Sequence, residues 1–131
     1  PAPGMTTDDI NTMVHELTLK QGAWPSPLNY RGFPKSVCTS VNEVVCHGIP
    51  DARPLQDGEI VNVDLTTIVN GWYGDQSETF LIGEVSDEAR QLVQITFESL
   101  WLGIHAIQSG GRIRDIGRAI YTFAKERRAR H

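Results

Sequence analysis

The chain has 131 residues, 40% of them hydrophobic and 21% charged, a composition typical of one globular domain with a moderate core over residues 1–131. Its net charge of −4 argues against a nucleic-acid-binding protein, which usually carries a strongly basic face. No apolar stretch approaches the roughly 20 residues of a membrane span, and no signal peptide is visible. With only two cysteines, we therefore expect a cytoplasmic protein without a membrane partner.

The first third of the chain predicts a helix, a loop and short strands. Thr6 or Thr7 can cap the helix at its start, and Gly22 ends it. Residues 24–36, "WPSPLNYRGFPKS", are a loop by their proline and glycine content. Residues 36–51, "SVCTSVNEVVCHGIPD", are rich in valine, which predicts either two short strands or one strand and a bend.

Residues 61–80, "VNVDLTTIVNGWYGDQSETF", predict a β-hairpin. Asn70-Gly71 is a favoured type I′ turn pair, because both residues tolerate positive φ. With this turn, Asp75 lies opposite Thr66, and Asp64 lies opposite Ser77. Strand residues two apart share a face, so the two aspartates are diagonal neighbours with side chains able to converge. The other face carries the apolar residues of the first strand.

Two converging carboxylates repel each other unless a proton or a cation lies between them. Divalent metals accept carboxylate oxygens, and a pair of carboxylates can hold two ions a few ångströms apart. The alternative is that Asp64 and Asp75 both point into solvent from an exposed face of the sheet. The hairpin pattern alone leaves both interpretations open.

Two helices follow the hairpin. The first begins with Ser86 as its cap and ends at Gly110-Gly111, and the second covers the remaining residues. The order of helix, strands and two helices predicts an α+β fold, with helices covering one face of an antiparallel sheet. The basic run at 124–131, "AKERRARH", is most simply a solvated helix end.

His47 lies where a strand turns toward a loop, 17 residues before Asp64. It is either a satisfied structural histidine or a member of the same cleft as the aspartates. Cys38 and Cys46 are most simply buried small hydrophobic residues. A nucleophilic Cys46-His47 pair is disfavoured, because adjacent strand residues point to opposite faces.

The segments "YRGFPKSVCTSVNEVVCHGIPD" and "LQDGEIVNVDLTTIVNGWYGDQSETFLIG" closely resemble the type I methionine aminopeptidases of the pita-bread fold. The resemblance runs from about Gly4 to about Arg127. It implies that Asp64 and Asp75 are metal ligands, that His47 contacts the scissile amide of the substrate, and that Thr66 is a polar residue beside the metals. It also implies a pocket for the substrate methionine, lined by Tyr30, Phe33 and Cys38.

The implied activity is hydrolytic removal of the initiator methionine from nascent polypeptides. The implied cofactors are two divalent ions, Co, Mn, Fe or Zn, that activate a water molecule. The ribosome is a further partner that this activity implies. The family completes its metal site with a histidine and two glutamates from a second half, and no motif here matches them, so we expect this chain to be the N-terminal half of the fold.

Three interpretations remain. The first is an aminopeptidase, whose site in a chain this short would need completion, for example by self-association of two copies. The second is a truncated, non-catalytic pita-bread module that binds a peptide or a partner. The third is an α+β domain whose polar sheet face is merely solvated, which would leave the "CHGIP" segment and the spacing of the aspartates as coincidence.

Overall fold

The computed structural model describes residues 1–128, which form two compact units. The first unit, Pro1–Ser86, contains one helix and a four-stranded antiparallel sheet, and the second begins at Asp87 and contains two helices. The elements in chain order are α1 (Thr7–Lys20), β1 (Trp24–Pro25), a 3₁₀ turn (Tyr30–Gly32), β2 (Cys38–Val41), β3 (Ile60–Val69), β4 (Trp72–Leu81), α2 (Asp87–His105) and α3 (Ile113–Arg128). This order confirms the predicted α+β class, whereas a single domain over residues 1–131 stays a prediction.

Helix α1 begins with a capping box. The Thr6 hydroxyl accepts a 3.0 Å hydrogen bond from the backbone N–H of Asp9, and the Asp9 carboxylate accepts a 2.8 Å bond from the backbone N–H of Thr6. Two N–H groups that no helical carbonyl can reach are satisfied in this way. Of the two capping residues that the sequence predicts, the structure uses Thr6, and the helix ends just before Gly22, as expected.

Strand β3 is the centre of the sheet. Strands β1 and β2 pair with different parts of it, and β4 pairs with its whole length. The apolar face of β3 packs against α1 through Ile10, and a half-buried Phe80 from β4 extends this contact. The fully or nearly buried members of the core are Ile10, Val37, Leu55, Val61, Val63 and Ile82. The opposite, polar face of the hairpin is the one that carries the aspartates.

The hairpin has the predicted register. Val69 pairs with Trp72, Thr66 pairs with Asp75, and Asp64 pairs with Ser77. Asn70 and Gly71 have φ values of 51° and 82°, as a type I′ turn requires. A two-residue turn of this kind leaves the two strands only one alignment, so local chemistry alone sets the relative position of the aspartates.

The segment 36–51 forms one strand and a bend. Strand β2 ends at Val41 because Asn42 adopts a left-handed conformation with φ of 51°, which turns the chain out of the sheet. Cys38 is buried on the strand, but Cys46 lies in the bend and is exposed. The expectation that both cysteines are buried is therefore wrong for Cys46.

In the second unit, α2 and α3 pack closely at Gly103. A Cβ atom at this position would lie 3.0 Å from Cδ1 of Ile120, so glycine permits the approach. Helix α2 ends at His105, earlier than the predicted stop at Gly110-Gly111, because the chain tightens into turns from Ala106 onward. No helix within residues 1–128 is long and apolar enough to cross a lipid bilayer. The basic run at 124–131 continues α3 to Arg128, and its last three residues lie outside the described part.

Candidate metal centre and adjoining cleft

Asp64 and Asp75 lie on the same face of the hairpin, on neighbouring strands and diagonal to each other. Asp64 is half-buried and Asp75 is exposed. Burial raises the pKa of Asp64, the negative charge of Asp75 raises it further, and the nearby His47 opposes this with a smaller lowering. Partial burial and the charge of Asp75 thus act in the same direction on Asp64, as expected for one of two converging carboxylates.

Hydroxyl and amide groups surround the two aspartates on this face. The Thr66 hydroxyl donates a 2.8 Å hydrogen bond to Oδ1 of Asp75. Farther along the hairpin, the Ser77 hydroxyl donates to the Asn62 side chain at 3.0 Å, and the Asn62 amide donates to the Thr79 hydroxyl at 3.1 Å. Thr66 thus lies opposite Asp75, as the predicted register requires, and its hydroxyl restricts the orientation of that carboxylate, whereas its place beside metals stays a prediction.

A cleft of about 780 Å³ opens beside the aspartates. All of the residues that the sequence analysis places at the site lie on its wall: Tyr30, Phe33, Cys38, His47, Asp64, Thr66 and Asp75. Their roles stay predictions, but the structure brings them together from five parts of the chain: the loop before β2, β2, the bend after it, β3 and β4. The volume lies within the range of small-ligand sites.

The loop before β2 supplies the aromatic part of the wall. Its turns are closed by hydrogen bonds from Tyr30 N–H to the Pro27 carbonyl at 3.0 Å and from Phe33 N–H to the Tyr30 carbonyl at 3.0 Å. A 2.8 Å bond from Ser26 N–H to the Thr66 carbonyl ties the loop to the hairpin. These bonds hold the loop backbone at Tyr30 and Phe33 against the hairpin that carries the aspartates.

His47 reaches the cleft from the bend after β2. The bend is attached to that strand, because Thr39 N–H donates to the Gly48 carbonyl at 2.9 Å and Gly48 N–H donates to the Ser40 hydroxyl at 3.2 Å. His47 itself is exposed, with φ of 54°, and has no hydrogen-bond partner within residues 1–128. Of the two alternatives for this histidine, its position favours membership of the cleft over a satisfied structural role.

Cys38 forms an apolar part of the wall and pairs across the sheet with Asp64. Burial raises the pKa of its thiol, and the charge of Asp64 and the nearby Cys46 raise it further. A thiol of this kind stays protonated at neutral pH and is a poor nucleophile. Cys46 does not line the cleft, so the disfavoured Cys46-His47 nucleophilic pair gains no support.

The donor set at Asp64 and Asp75 fits a divalent cation. Two oxygen ligands converge, their mutual repulsion would be relieved by a positive charge, and hard or borderline metals accept such oxygens. Within the described 1–128 segment, no group of three or more His, Cys, Asp and Glu side chains could hold a metal ion. Because a catalytic metal usually has three or more protein ligands, the two aspartates alone would supply only part of a coordination sphere.

Sequence reasoning missed further residues on the wall of the cleft, among them Arg31, Ile49 and Tyr73. Tyr73 could have been found, because it lies two residues before Asp75 on the same strand and therefore on the same face. Arg31 and Ile49 lie on irregular segments, where no periodicity predicts the direction of a side chain.

Comparison with known proteins agrees with this geometry. Residues 2–131 match metallopeptidase family M24. Methionine aminopeptidase 1A of Arabidopsis thaliana is 55% identical over 122 residues, which are 93% of this chain and 31% of that protein. The methionine aminopeptidase of Rickettsia prowazekii is 45% identical over 124 residues, which are 95% of this chain and 48% of that protein.

Solved structures show the same relationship. The crystal structure of the Rickettsia prowazekii methionine aminopeptidase superposes with a TM-score of 0.95 at 44% identity, over 96% of this chain and 51% of that one. A Xaa-Pro dipeptidase from Bacillus anthracis shares the fold. It superposes with a TM-score of 0.83 at 20% identity, over 97% of this chain and 34% of that one. These likenesses confirm the predicted pita-bread architecture. The chain spans about a third to a half of the length of these relatives. Because the family model matches residues 2–131, the chain belongs to metallopeptidase family M24.

Proposed function

We propose that this chain supplies part of the active centre of a methionine aminopeptidase, which removes the initiator methionine from nascent polypeptides by hydrolysis. The observation that carries the proposal is the placement of Asp64 and Asp75 on one wall of a cleft shared with His47 and an aromatic pocket. The relatives at 45–55% identity that are named methionine aminopeptidases support the assignment.

Each group on the wall has a role in this proposal. Asp64 and Asp75 would hold divalent metal, whose chemistry when bound would be to lower the pKa of a water molecule and to polarise the scissile carbonyl. The resemblance implies two such ions, which are Co, Mn, Fe or Zn. Thr66 orients Asp75, as its 2.8 Å hydrogen bond supports.

The substrate would lie between the histidine and the loop before β2. His47, exposed and unpaired within residues 1–128, is free to donate a hydrogen bond to the scissile amide. Tyr30, Phe33 and Cys38 bury the methionine side chain, since two aromatic rings and a protonated thiol suit a flexible thioether.

A non-catalytic module that binds a peptide or a partner is the second candidate. It is favoured by one observation, that the described residues contain only two aspartates at the metal position and no larger group of metal ligands. Ribosome binding and self-association stay predictions. A cytoplasmic location also stays a prediction; two free thiols support it, although relatives include proteins named for chloroplast and mitochondrion.

The first test is calorimetric titration with Mn²⁺ under anaerobic conditions. We expect Asp64→Asn and Asp75→Asn to bind Mn²⁺ at least about tenfold more weakly than the wild-type chain. The matched control Asp87→Asn, on α2 and outside the cleft, should bind like the wild type. Unchanged Mn²⁺ binding in both cleft variants would overturn the metal assignment.

The second test is release of methionine from Met-Gly-Gly by the Mn²⁺-loaded chain. Release that disappears in Asp64→Asn supports the aminopeptidase. A folded chain that binds Mn²⁺ and Met-Gly-Gly but releases no methionine is either the binding module or one part of an active centre that needs completion.

A further inference from the structure

Arg31 places a positive charge on the wall of the cleft whose other charged side chains are Asp64 and Asp75. The Arg31 side chain is exposed, and none of the ion pairs within residues 1–128 includes it. Its guanidinium carbon lies 5.5 Å from the centre of the Tyr30 ring. The guanidinium therefore rests on one wall of the proposed methionine pocket with its hydrogen-bond donors available.

The backbone around Arg31 is held in place. Arg31 has φ of 50° and ψ of 32°, a left-handed conformation that few residues other than glycine adopt. It lies between Asn29 and Gly32, which have φ of 65° and 86°, and a 2.8 Å bond from Asn29 N–H to the Phe33 carbonyl closes the loop. Because this backbone is fixed, Arg31 offers its side chain from a constant point on the wall.

The cleft carries two negative charges on the hairpin and one positive charge on the loop before β2, a combination that suits a peptide with a carboxylate. Asp64 and Asp75 form its negative part, where the reacting end of a peptide would lie. Arg31 forms its positive part, on the loop that carries Tyr30 and Phe33. A guanidinium binds a carboxylate through two parallel hydrogen bonds, a geometry that uncharged side chains do not match.

We propose that Arg31 is a specificity-determining residue, which favours peptides with a carboxylate downstream of the N-terminal residue. The carboxylate comes from an aspartate or glutamate side chain or from the C-terminus of a short peptide, and the chemistry at Arg31 is the same. This inference rests on the proposed function, because it takes the cleft to be the peptide site.

The test is calorimetric binding of peptides whose first amide is reduced to CH₂–NH, so that they cannot be hydrolysed. The series Met-Gly-X-Gly-NH₂ and Met-Gly-Gly-X-NH₂, with X as Asp, Asn or Lys, examines a side-chain carboxylate. A comparison of Met-Gly-Asn, which has a free C-terminus, with its C-terminal amide tests whether Arg31 recognises a C-terminal carboxylate. Mn²⁺ is present throughout, and thermal unfolding shows that each variant is folded.

We expect the wild-type chain to bind the Asp peptide, or the peptide with a free C-terminus, about three- to tenfold more tightly than its uncharged partner. Arg31→Gln should reduce this ratio to below about twofold, Arg31→Lys should retain part of it, and 0.5 M NaCl should weaken it. Arg114→Gln, an exposed arginine on α3, makes the same charge change outside the cleft and should leave the ratio unchanged.

Two results would overturn the role of Arg31 while leaving the proposed function intact. One is equal binding of the Asp, Asn and Lys peptides by the wild-type chain. The other is a preference that survives in Arg31→Gln, which would show that the carboxylate binds the metal or another group. If the wild-type chain binds no methionine peptide at all, the proposed function fails, and the role of Arg31 fails with it.

Discussion

Thr66 and Asp75 lie directly opposite each other in the hairpin, and the Thr66 hydroxyl donates a 2.8 Å hydrogen bond to Oδ1 of Asp75. Asp75 is exposed, so nothing buried restrains its carboxylate. The hydrogen bond selects one orientation, with Oδ1 engaged by the hydroxyl and Oδ2 free. A carboxylate oriented beforehand loses less entropy when it binds a cation.

We predict that Thr66→Val weakens Mn²⁺ binding by about tenfold, because valine keeps the branched shape of threonine but removes the donor. Thr66→Ser keeps the donor and should bind nearly as well as the wild type. Thr67→Val, the same change on the opposite face, serves as the control. Equal Mn²⁺ affinity of Thr66→Val and Thr67→Val in calorimetric titrations would show that the hydroxyl does not orient the ligand.

Gly48 has no room for a side chain. A Cβ atom there would lie 2.1 Å from the Thr39 carbonyl oxygen, and the obstacle is the backbone of a buried strand. We therefore expect Gly48→Ala to lower the free energy of unfolding by about 2–3 kcal/mol and to displace the adjacent His47. Urea denaturation measures the first effect. Gly117→Ala on α3, where nothing lies within 4 Å, should instead stabilise its helix by about 0.5–1 kcal/mol.

The capping box of α1 yields a third prediction. Thr6→Ala leaves the N–H of Asp9 without its acceptor and should lower the free energy of unfolding by about 1 kcal/mol. Thr12→Ala, in the exposed interior of the same helix, should change it by less than about 0.5 kcal/mol. Both values come from thermal or urea unfolding followed by circular dichroism. Equal losses in the two variants would contradict the capping role.

Glu59 makes the stability of the first unit depend on pH. Burial raises the pKa of Glu59, but hydrogen bonds from Gln56 N–H, Arg53 and Asn42, together with the charge of Arg53, outweigh burial and lower it. A carboxyl group whose pKa is lower in the folded state stabilises the fold above its unfolded pKa of about 4.3, and this stabilisation is lost as the pH falls through the folded value.

We therefore expect the free energy of unfolding of the wild-type chain to exceed that of Glu59→Gln at pH 7. The difference should shrink below about pH 4 and vanish at lower pH. Urea titrations at a series of pH values measure it. Glu16→Gln, on the exposed surface of α1, controls for the loss of one negative charge. A difference that is the same at pH 7 and pH 3 would contradict the prediction.

Local signals predicted the features that depend on local chemistry. Asn70-Gly71 determines the turn, the turn determines the register, and the register places Asp64 and Asp75 on one face without reference to the rest of the chain. The capping box at Thr6 is equally local. The roles of Tyr30, Phe33 and Cys38 came only from family resemblance, because no period or spacing assigns a loop residue to a pocket.

The expectations that failed are the burial of Cys46 and the end point of α2. The valine-rich stretch near Cys46 has strand propensity, yet the bend is held to β2 by the Thr39–Gly48 hydrogen bond and leaves Val45 92% exposed. Helix α2 has apolar spacing that continues to Ile107, yet it ends at His105. Strand propensity and apolar spacing are weak priors, and neither determines where a strand or a helix ends.

The length of the turn at Asn70-Gly71 determines whether Asp64 and Asp75 lie on the same face of the hairpin. One residue inserted there, with the loop kept at two residues, would shift β4 by one position against β3 and exchange the two faces of the strand. The carboxylate of residue 75 would then point toward α1, and the neighbouring glutamine side chain would take its place beside Asp64. The convergence of Asp64 and Asp75 therefore depends on the length of this turn, because the turn sets the register that places them on one face.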